Sequence, residues 1–272
     1  MIRLAQTSWA FLVRDLQTEF SYRLAFLLQV SGLFVQALMW FLLARLVSGG
    51  NERLLEQTGG LEYFPFVLGG LMVSRFLDVS LNAYASQIRT EQTTGTLEAM
   101  MVTPARLWHL ILSSASFSYV FAAFQSGMYL FFGVFVFDVE LDVGSVLGAV
   151  AAILFTIVAI SGVGVLSAAF VLYFKRGNPI NFLISTSSFL FGDVVIPAQS
   201  LPDGLAWISK LVPTSYAVDA VRGALLRGEG LAEIAPNLLA LAVFSAVLVP
   251  LGLFGARIAV RRAKLEGTLV QY

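Results

Sequence analysis

The 272-residue chain has no cysteine, a single histidine and few charges. Without cysteine, disulfides, thiolate metal sites and cysteine nucleophiles are excluded. With His109 as the only histidine, histidine-containing zinc clusters are excluded and a Ser-His-Asp triad has little to draw on. Its place at the foot of an apolar segment suits an interfacial side chain. Charged residues make up 12%, against about 25% in a soluble domain. Strict apolar/polar alternation over ten-residue segments is missing too, which argues against a transmembrane barrel. None of the three lysines, Lys175, Lys210 and Lys264, stands in a Gly-Lys-Ser/Thr sequence. The phosphate-cradling loop of many ATPases is therefore absent.

Apolar residues are what the chain has in abundance. They make up 58% and give a mean hydropathy of +0.82, gathered into runs of about 20, the length a helix needs to cross the hydrocarbon of a bilayer. The expected fold is all-α: an integral membrane protein of one transmembrane domain, 1–272, with six spanning helices. The runs lie at 24–47, 63–86, within 107–137, and at 143–174, 180–196 and 234–258, the fifth being short for a full crossing. Before them, residues 1–23 place Leu4, Trp9, Phe11, Leu12, Leu16 and Phe20 at mainly three- and four-residue steps among arginines. That pattern predicts a helix lying in the membrane interface. It lacks the short apolar core and small-residue cleavage site of a signal peptide, so the segment is expected on the mature protein.

Three features stand out from the apolar background. The first is Arg75 with Asp78 inside the second run. Three residues apart they share a helix face, where they can pair. A lone charge at the bilayer centre costs about 2.5–3.5 kcal/mol, so the two should face protein. A structural ion pair is the simpler reading; a substrate or gating contact, as in a secondary transporter or channel, is the other. The small residues Ser161, Gly162, Gly164, Ser167 and Ala168 form the second feature, a helix-packing face. The third is 197–230, which Pro197, Pro202 and Pro213 divide. Two short helices are expected there, 203–211 and 214–226, with Asp203 and Thr214 as N-caps. Broken helices at membrane depth must be covered by protein or line a wet cavity, which predicts a re-entrant hairpin; a hairpin on the water surface is the alternative.

Basic residues orient the chain. Arg3, Arg14, Arg23, Arg89, Arg106, Lys175, Arg176, Arg257, Arg261, Arg262 and Lys264 fall on the side of the termini, whereas only Arg45, Arg53, Lys210, Arg222 and Arg227 fall opposite. By the positive-inside rule both termini and residues 89–106 are cytoplasmic, in a multi-pass protein of the inner (plasma) membrane. Within 89–106, Thr96 precedes a helical run, Glu98 sits in its first turn, and Leu97, Met100 and Met101 supply an apolar face before Thr103-Pro104 ends it. This short capped helix can move as a rigid unit.

The sequence Glu91-Gln-Thr-Thr-Gly95-Thr96-Leu97-Glu98, followed by apolar residues and Thr103-Pro104, resembles the ABC transporter permeases of the type-2 transmembrane class. Pro197, Pro202, Pro213 and Arg222 follow the same family's order in the other passage. Gln92 and Thr93 depart from it, standing where charged residues are frequent. The resemblance implies a coupling helix, with Glu91, Gly95, Thr96, Leu97, Glu98, Met100, Met101, Thr103 and Pro104 as contacts to separate nucleotide-binding ATPase subunits. It also implies ATP and Mg on those subunits with no cofactor on this chain, and a second permease copy, identical or related, completing the path. Lipid is the surrounding partner, and nucleic acid is not expected. The cargo implied is a drug, a lipid-like molecule or a lipid-linked glycan, with a small amphipathic compound preferred. A membrane-embedded enzyme would need convergent polar side chains at depth, which this composition scarcely supplies.

Overall fold

A computed structural model describes residues 21–47, 52–93, 116–174, 179–202 and 204–265, with Val13 and Gln17. The expected interfacial helix over 1–23 therefore lies almost wholly outside the described residues. So do Gly95 to Pro104 and Asp203.

Among the described residues every regular element is helical. The order is α1 (Arg23–Val47), α2 (Glu52–Gln57), α3 (Tyr63–Thr93), α4 (Ser116–Phe135), α5 (Val146–Phe174), α6 (Pro179–Phe191), a 3-10 turn at Ala198–Ser200, α7 (Ala206–Ser209), α8 (Pro213–Leu226) and α9 (Leu231–Leu265). Five of these, α1, α3, α4, α5 and α9, are long and apolar enough to cross a membrane. They match the first four and the last of the expected spans.

The helical extent expected of the fifth span is corrected. Its helix, α6, has 13 residues, about 20 Å at 1.5 Å per residue, short of the ~30 Å of hydrocarbon. It stops because Asp193 adopts a left-handed backbone, φ 58°, directly after the last helical bond, Gly192 N–H to Ser188 O at 2.9 Å. Aspartate tolerates that region better than most residues. The apolar run continues through Ile196, but as non-helical chain. Neighbours fix its course. The Asn181 amide donates to the Leu81 carbonyl at 2.8 Å, while the Tyr63 hydroxyl donates to the Val195 carbonyl at 3.2 Å. Residues 181–195 thus run antiparallel to α3, from its Leu81 level to its start.

A second correction concerns α3, which continues as helix to Thr93. The expected span ends at 86, yet Arg89 and Glu91 lie on a helical extension of about two turns beyond Ser86. The loss of apolar residues there ends the membrane stretch and not the helix, since Gln, Arg and Glu are good helix formers.

The third correction is in the hairpin. Only one turn, α7, forms where a helix over 203–211 was expected. Thr214 does not cap α8: Pro213 occupies the first helical turn, and the cap is Val212, in extended conformation and without a side-chain bond. Proline suits that position because its missing N–H would be unpaired there in any case.

Burial sorts the helices. In α3, 72% of the most apolar stretch is buried inside the protein, against 11% for α1 and 17% for α9. Hence α3 is the central post, with α1 and α9 offering most of their surface to lipid or a partner. The small-residue face of α5 serves close packing. A Cβ on Gly162 would lie 2.4 Å from the Leu248 carbonyl oxygen of α9, and one on Gly252 would lie 2.0 Å from the Gly162 carbonyl. Only glycine lets these two backbones meet. The core gathers Leu68, Leu71, Tyr129, Ala152, Val218, Val221 and Ile234 from α3, α4, α5, α8 and α9.

Candidate functional site

Arg75 and Asp78 sit near the middle of the α3 span, about 18 Å from Tyr63 along the helix. They share a face, as their spacing requires, but they do not form an ion pair. Arg75 instead donates to Gln36 Oε1 of α1 at 2.5 Å and to the Tyr129 hydroxyl of α4, with its guanidinium 5.3 Å from the Tyr129 ring centre. Tyr129 closes the triangle by donating to Gln36 Oε1 at 2.6 Å. An amide, a phenol and a ring face thus share the charge among three helices, a cheaper arrangement at depth than an unpartnered cation.

Asp78 is left to face a groove. It is exposed, and among the described residues its carboxylate has no ion-pair partner. The groove, about 370 Å³, is lined by Gln36 of α1, by Leu71, Ser74, Arg75, Leu77 and Asp78 of α3, and by Ser185, Thr186, Phe189 and Leu190 of α6. One carboxylate, hydroxyls and an aromatic face give the groove a mixed polar and apolar lining at mid-depth.

Above the groove lies the hairpin, held by Arg222. This arginine is 1% exposed, the most costly kind of residue to bury. Its donors are nevertheless occupied. Nε and Nη2 donate to the Phe66 carbonyl at 2.9 and 2.7 Å, Nη1 to Asp193 Oδ2 at 2.7 Å, and Nη2 to the Val194 carbonyl at 3.2 Å. The guanidinium also lies 3.4 Å over the Phe66 ring. The left-handed turn at Asp193 aims its carboxylate: Oδ2 takes Arg222 and Oδ1 accepts from Ala198 N–H at 2.8 Å. α3 comes close enough because Gly70 has no side chain, a Cβ there falling 2.1 Å from the Val194 carbonyl.

Both partners of this pair lie outside the five spanning helices. Burial lowers Arg222 to about 10, against the Asp193 and Asp219 carboxylates, so the arginine stays protonated at neutral pH. Further along, Arg227 pairs with Asp219 at 2.8 Å and Glu229 at 2.7 Å. Burial disfavours that charge, yet the two carboxylates outweigh it and raise the guanidinium.

The proline-arginine motif is spread along this passage, Pro213 and Arg222 lying about 13 Å apart on α8 at helical rise. Pro197 starts the turn that Asp193 caps, the Pro202 carbonyl accepts from Leu205 N–H at 2.7 Å, Pro213 opens α8, and Arg222 returns to Asp193. Asp193, Gln36 and Tyr129 escaped sequence reasoning. For Asp193 there was a signal, a lone carboxylate within an apolar run; Gln36 and Tyr129 offered none beyond being polar. Of the residues that the family resemblance implies as coupling contacts, only Glu91 lies on a described helix, at the far end of α3 from the hairpin.

Towards that end, Tyr84 of α3, Tyr119 of α4 and Ser161 of α5 are mutually hydrogen-bonded at 2.9 to 3.2 Å. Three spanning helices are thereby tied together below the groove. A comparison with curated proteins finds no match. The family model described as ABC-2 type transporter matches residues 12–226, most of the chain, so this multi-pass membrane protein belongs to that family, as the permease component of an ABC transporter.

Proposed function

We propose that the permease is the export subunit of an ATP-driven transporter, working as a pair with a second permease copy, identical or related. Separate ATPase subunits, holding ATP and Mg, drive it through residues 89–106. The observation that carries the reading is the groove at mid-depth. It opens sideways between α1 and α6, two helices with large exposed apolar faces: Leu28, Val35 and Met39 on one, Phe182 and Leu183 on the other. A second copy set against those faces closes the groove into a path. Its mixed lining, with Asp78 and Ser185 beside Leu71 and Phe189, supports a small amphipathic cargo over a purely apolar one; drugs, lipid-like molecules and lipid-linked glycans remain the classes within reach.

Residues 181–195 cover about 21 Å at helical rise alone, and extended chain adds to that, so α6 with its continuation serves as the sixth crossing. Its non-helical part is tolerable because Arg222 takes the Val194 carbonyl, as membrane depth demands. Six crossings put both termini on one side, and the basic residues favour the cytoplasm. Glu91, Gly95, Thr96, Leu97, Glu98, Met100, Met101, Thr103 and Pro104 then face the ATPase, with the proline-divided hairpin opposite.

The test uses the full chain with its ATPase in lipid. Glu98→Arg and Gly95→Trp should each cut ATP turnover severalfold without unfolding the permease. Failure of the two proteins to associate, or turnover indifferent to both changes, overturns the coupling assignment.

A further inference from the structure

A second cavity, of about 470 Å³, lies away from the groove at the end where α1 and α4 finish and α3 starts. It is lined by Phe41, Ala44 and Arg45 of α1, by Glu62 with Tyr63 and Phe64 at the start of α3, and by Val136, Phe137 and Asp138 beyond α4. Three spanning helices reach the same end here, which sets the cavity at the level of lipid headgroups.

Its wall is aromatic. Phe41, Phe64 and Phe137 pack on one another with ring centres 4.7 to 5.2 Å apart. Its rim is charged, and the charges are uncommitted. Arg45, Glu62 and Asp138 are all exposed. Among the described residues none of the three has an ion-pair partner, and the Arg45 guanidinium lies over the Phe41 ring, at 4.6 Å. One cation and two carboxylates therefore share a single cavity without neutralising each other.

We propose that this cavity binds the headgroup of a zwitterionic, amine-bearing phospholipid. Arg45 offers the fork of donors that a phosphate diester accepts. Glu62 and Asp138 offer charge to the ammonium, and the ring faces add the attraction of an aromatic quadrupole for a cation. The acyl chains follow the exposed apolar side chains within two turns of the rim, Leu42 and Leu46 on α1, and Phe131 and Phe135 on α4. A headgroup carrying phosphate but no amine meets the same arginine and two repelling carboxylates, so the site discriminates by the amine.

Full-length protein in detergent, titrated with phosphatidylethanolamine or phosphatidylglycerol of matched chains and read by native mass spectrometry, tests this. Wild type should retain the ethanolamine lipid in preference by roughly fivefold to tenfold. Arg45→Gln should lower its retention. The double change Glu62→Gln with Asp138→Asn should bring the ratio close to one, asparagine being compatible with the left-handed backbone of Asp138, φ 54°. Glu140→Gln, which removes an exposed carboxylate near but outside the cavity, should leave the ratio as in wild type. Equal retention of both lipids by wild type, a preference untouched by the double change, or one equally lost in Glu140→Gln would each overturn the site. Water-soluble glycerophosphoethanolamine binding as tightly as the lipid would overturn it as well, by placing the ligand in water.

Discussion

Two arginines and two aspartates stand out in the apolar body of this permease, and they end in opposite arrangements. Arg75 and Asp78 are three residues apart on one helix face, but Arg75 turns to an amide and a phenol, leaving Asp78 to the groove. Arg222 and Asp193 are 29 residues apart on separate elements, and they meet at 2.7 Å in the protein interior. Proximity in sequence permits pairing; it does not decide it. The surroundings do. Arg222 has no neutral acceptors apart from backbone carbonyls, and a carboxylate is needed to offset its charge. Arg75 finds two neutral side-chain acceptors within reach, enough to disperse its charge without consuming Asp78.

The largest expected effect comes from breaking the buried pair. Arg222→Met removes the cation facing the Asp193 carboxylate and leaves it only the Ala198 amide, and by the usual cost of breaking a buried pair it should destabilise the fold by about 3–5 kcal/mol, seen as a lowered unfolding midpoint in detergent or as lost expression. A variant that melts like wild type would mean that the hairpin is held by packing alone. Next comes Arg75→Gln. It removes charge-assisted bonds between α1, α3 and α4, yet glutamine can still pair with Gln36 or Tyr129, so a loss of about 1–2 kcal/mol is expected. Unchanged transport in that variant, together with reduced stability, would assign Arg75 to structure. The smallest stability effect belongs to Asp78→Asn, within about 0.5 kcal/mol, because an exposed, unpaired carboxylate supports nothing in the fold. Transport is where that change should register, as a severalfold loss for a cationic cargo; transport as in wild type would take Asp78 out of the path.

The same contrast explains how much could be read in advance. The spanning helices α1, α3, α4, α5 and α9 were legible because the length of an apolar run is itself the physical requirement for crossing. Arg222 was legible through the prolines that precede it. Its partner was not, since a contact between residues 193 and 222 depends on a left-handed turn that hydropathy does not encode. For the same reason the end of α6 was missed: Gly192 to Ile196 is as apolar extended as helical. The start of α8 was readable in principle, as proline favours the first helical turn, but the hydroxyl of Thr214 one residue later was the stronger lure. It is buried, and among the described residues its Oγ1 finds no hydrogen-bond partner. Where α3 leaves the membrane it keeps its helix, and composition marks only the first of those two boundaries.

The unbroken length of α3 has a mechanical consequence. Arg222 clasps the helix at Phe66, and from there to Thr93 the rod measures about 40 Å, with Arg75 only about 14 Å along it. Tilting about the clasp by some 5° therefore sweeps the far tip through about 3.5 Å while the groove shifts by little more than 1 Å, both from rigid-rod geometry at helical rise. The lever arm has a ratio near three: coarse displacement at one end becomes fine adjustment where cargo would sit.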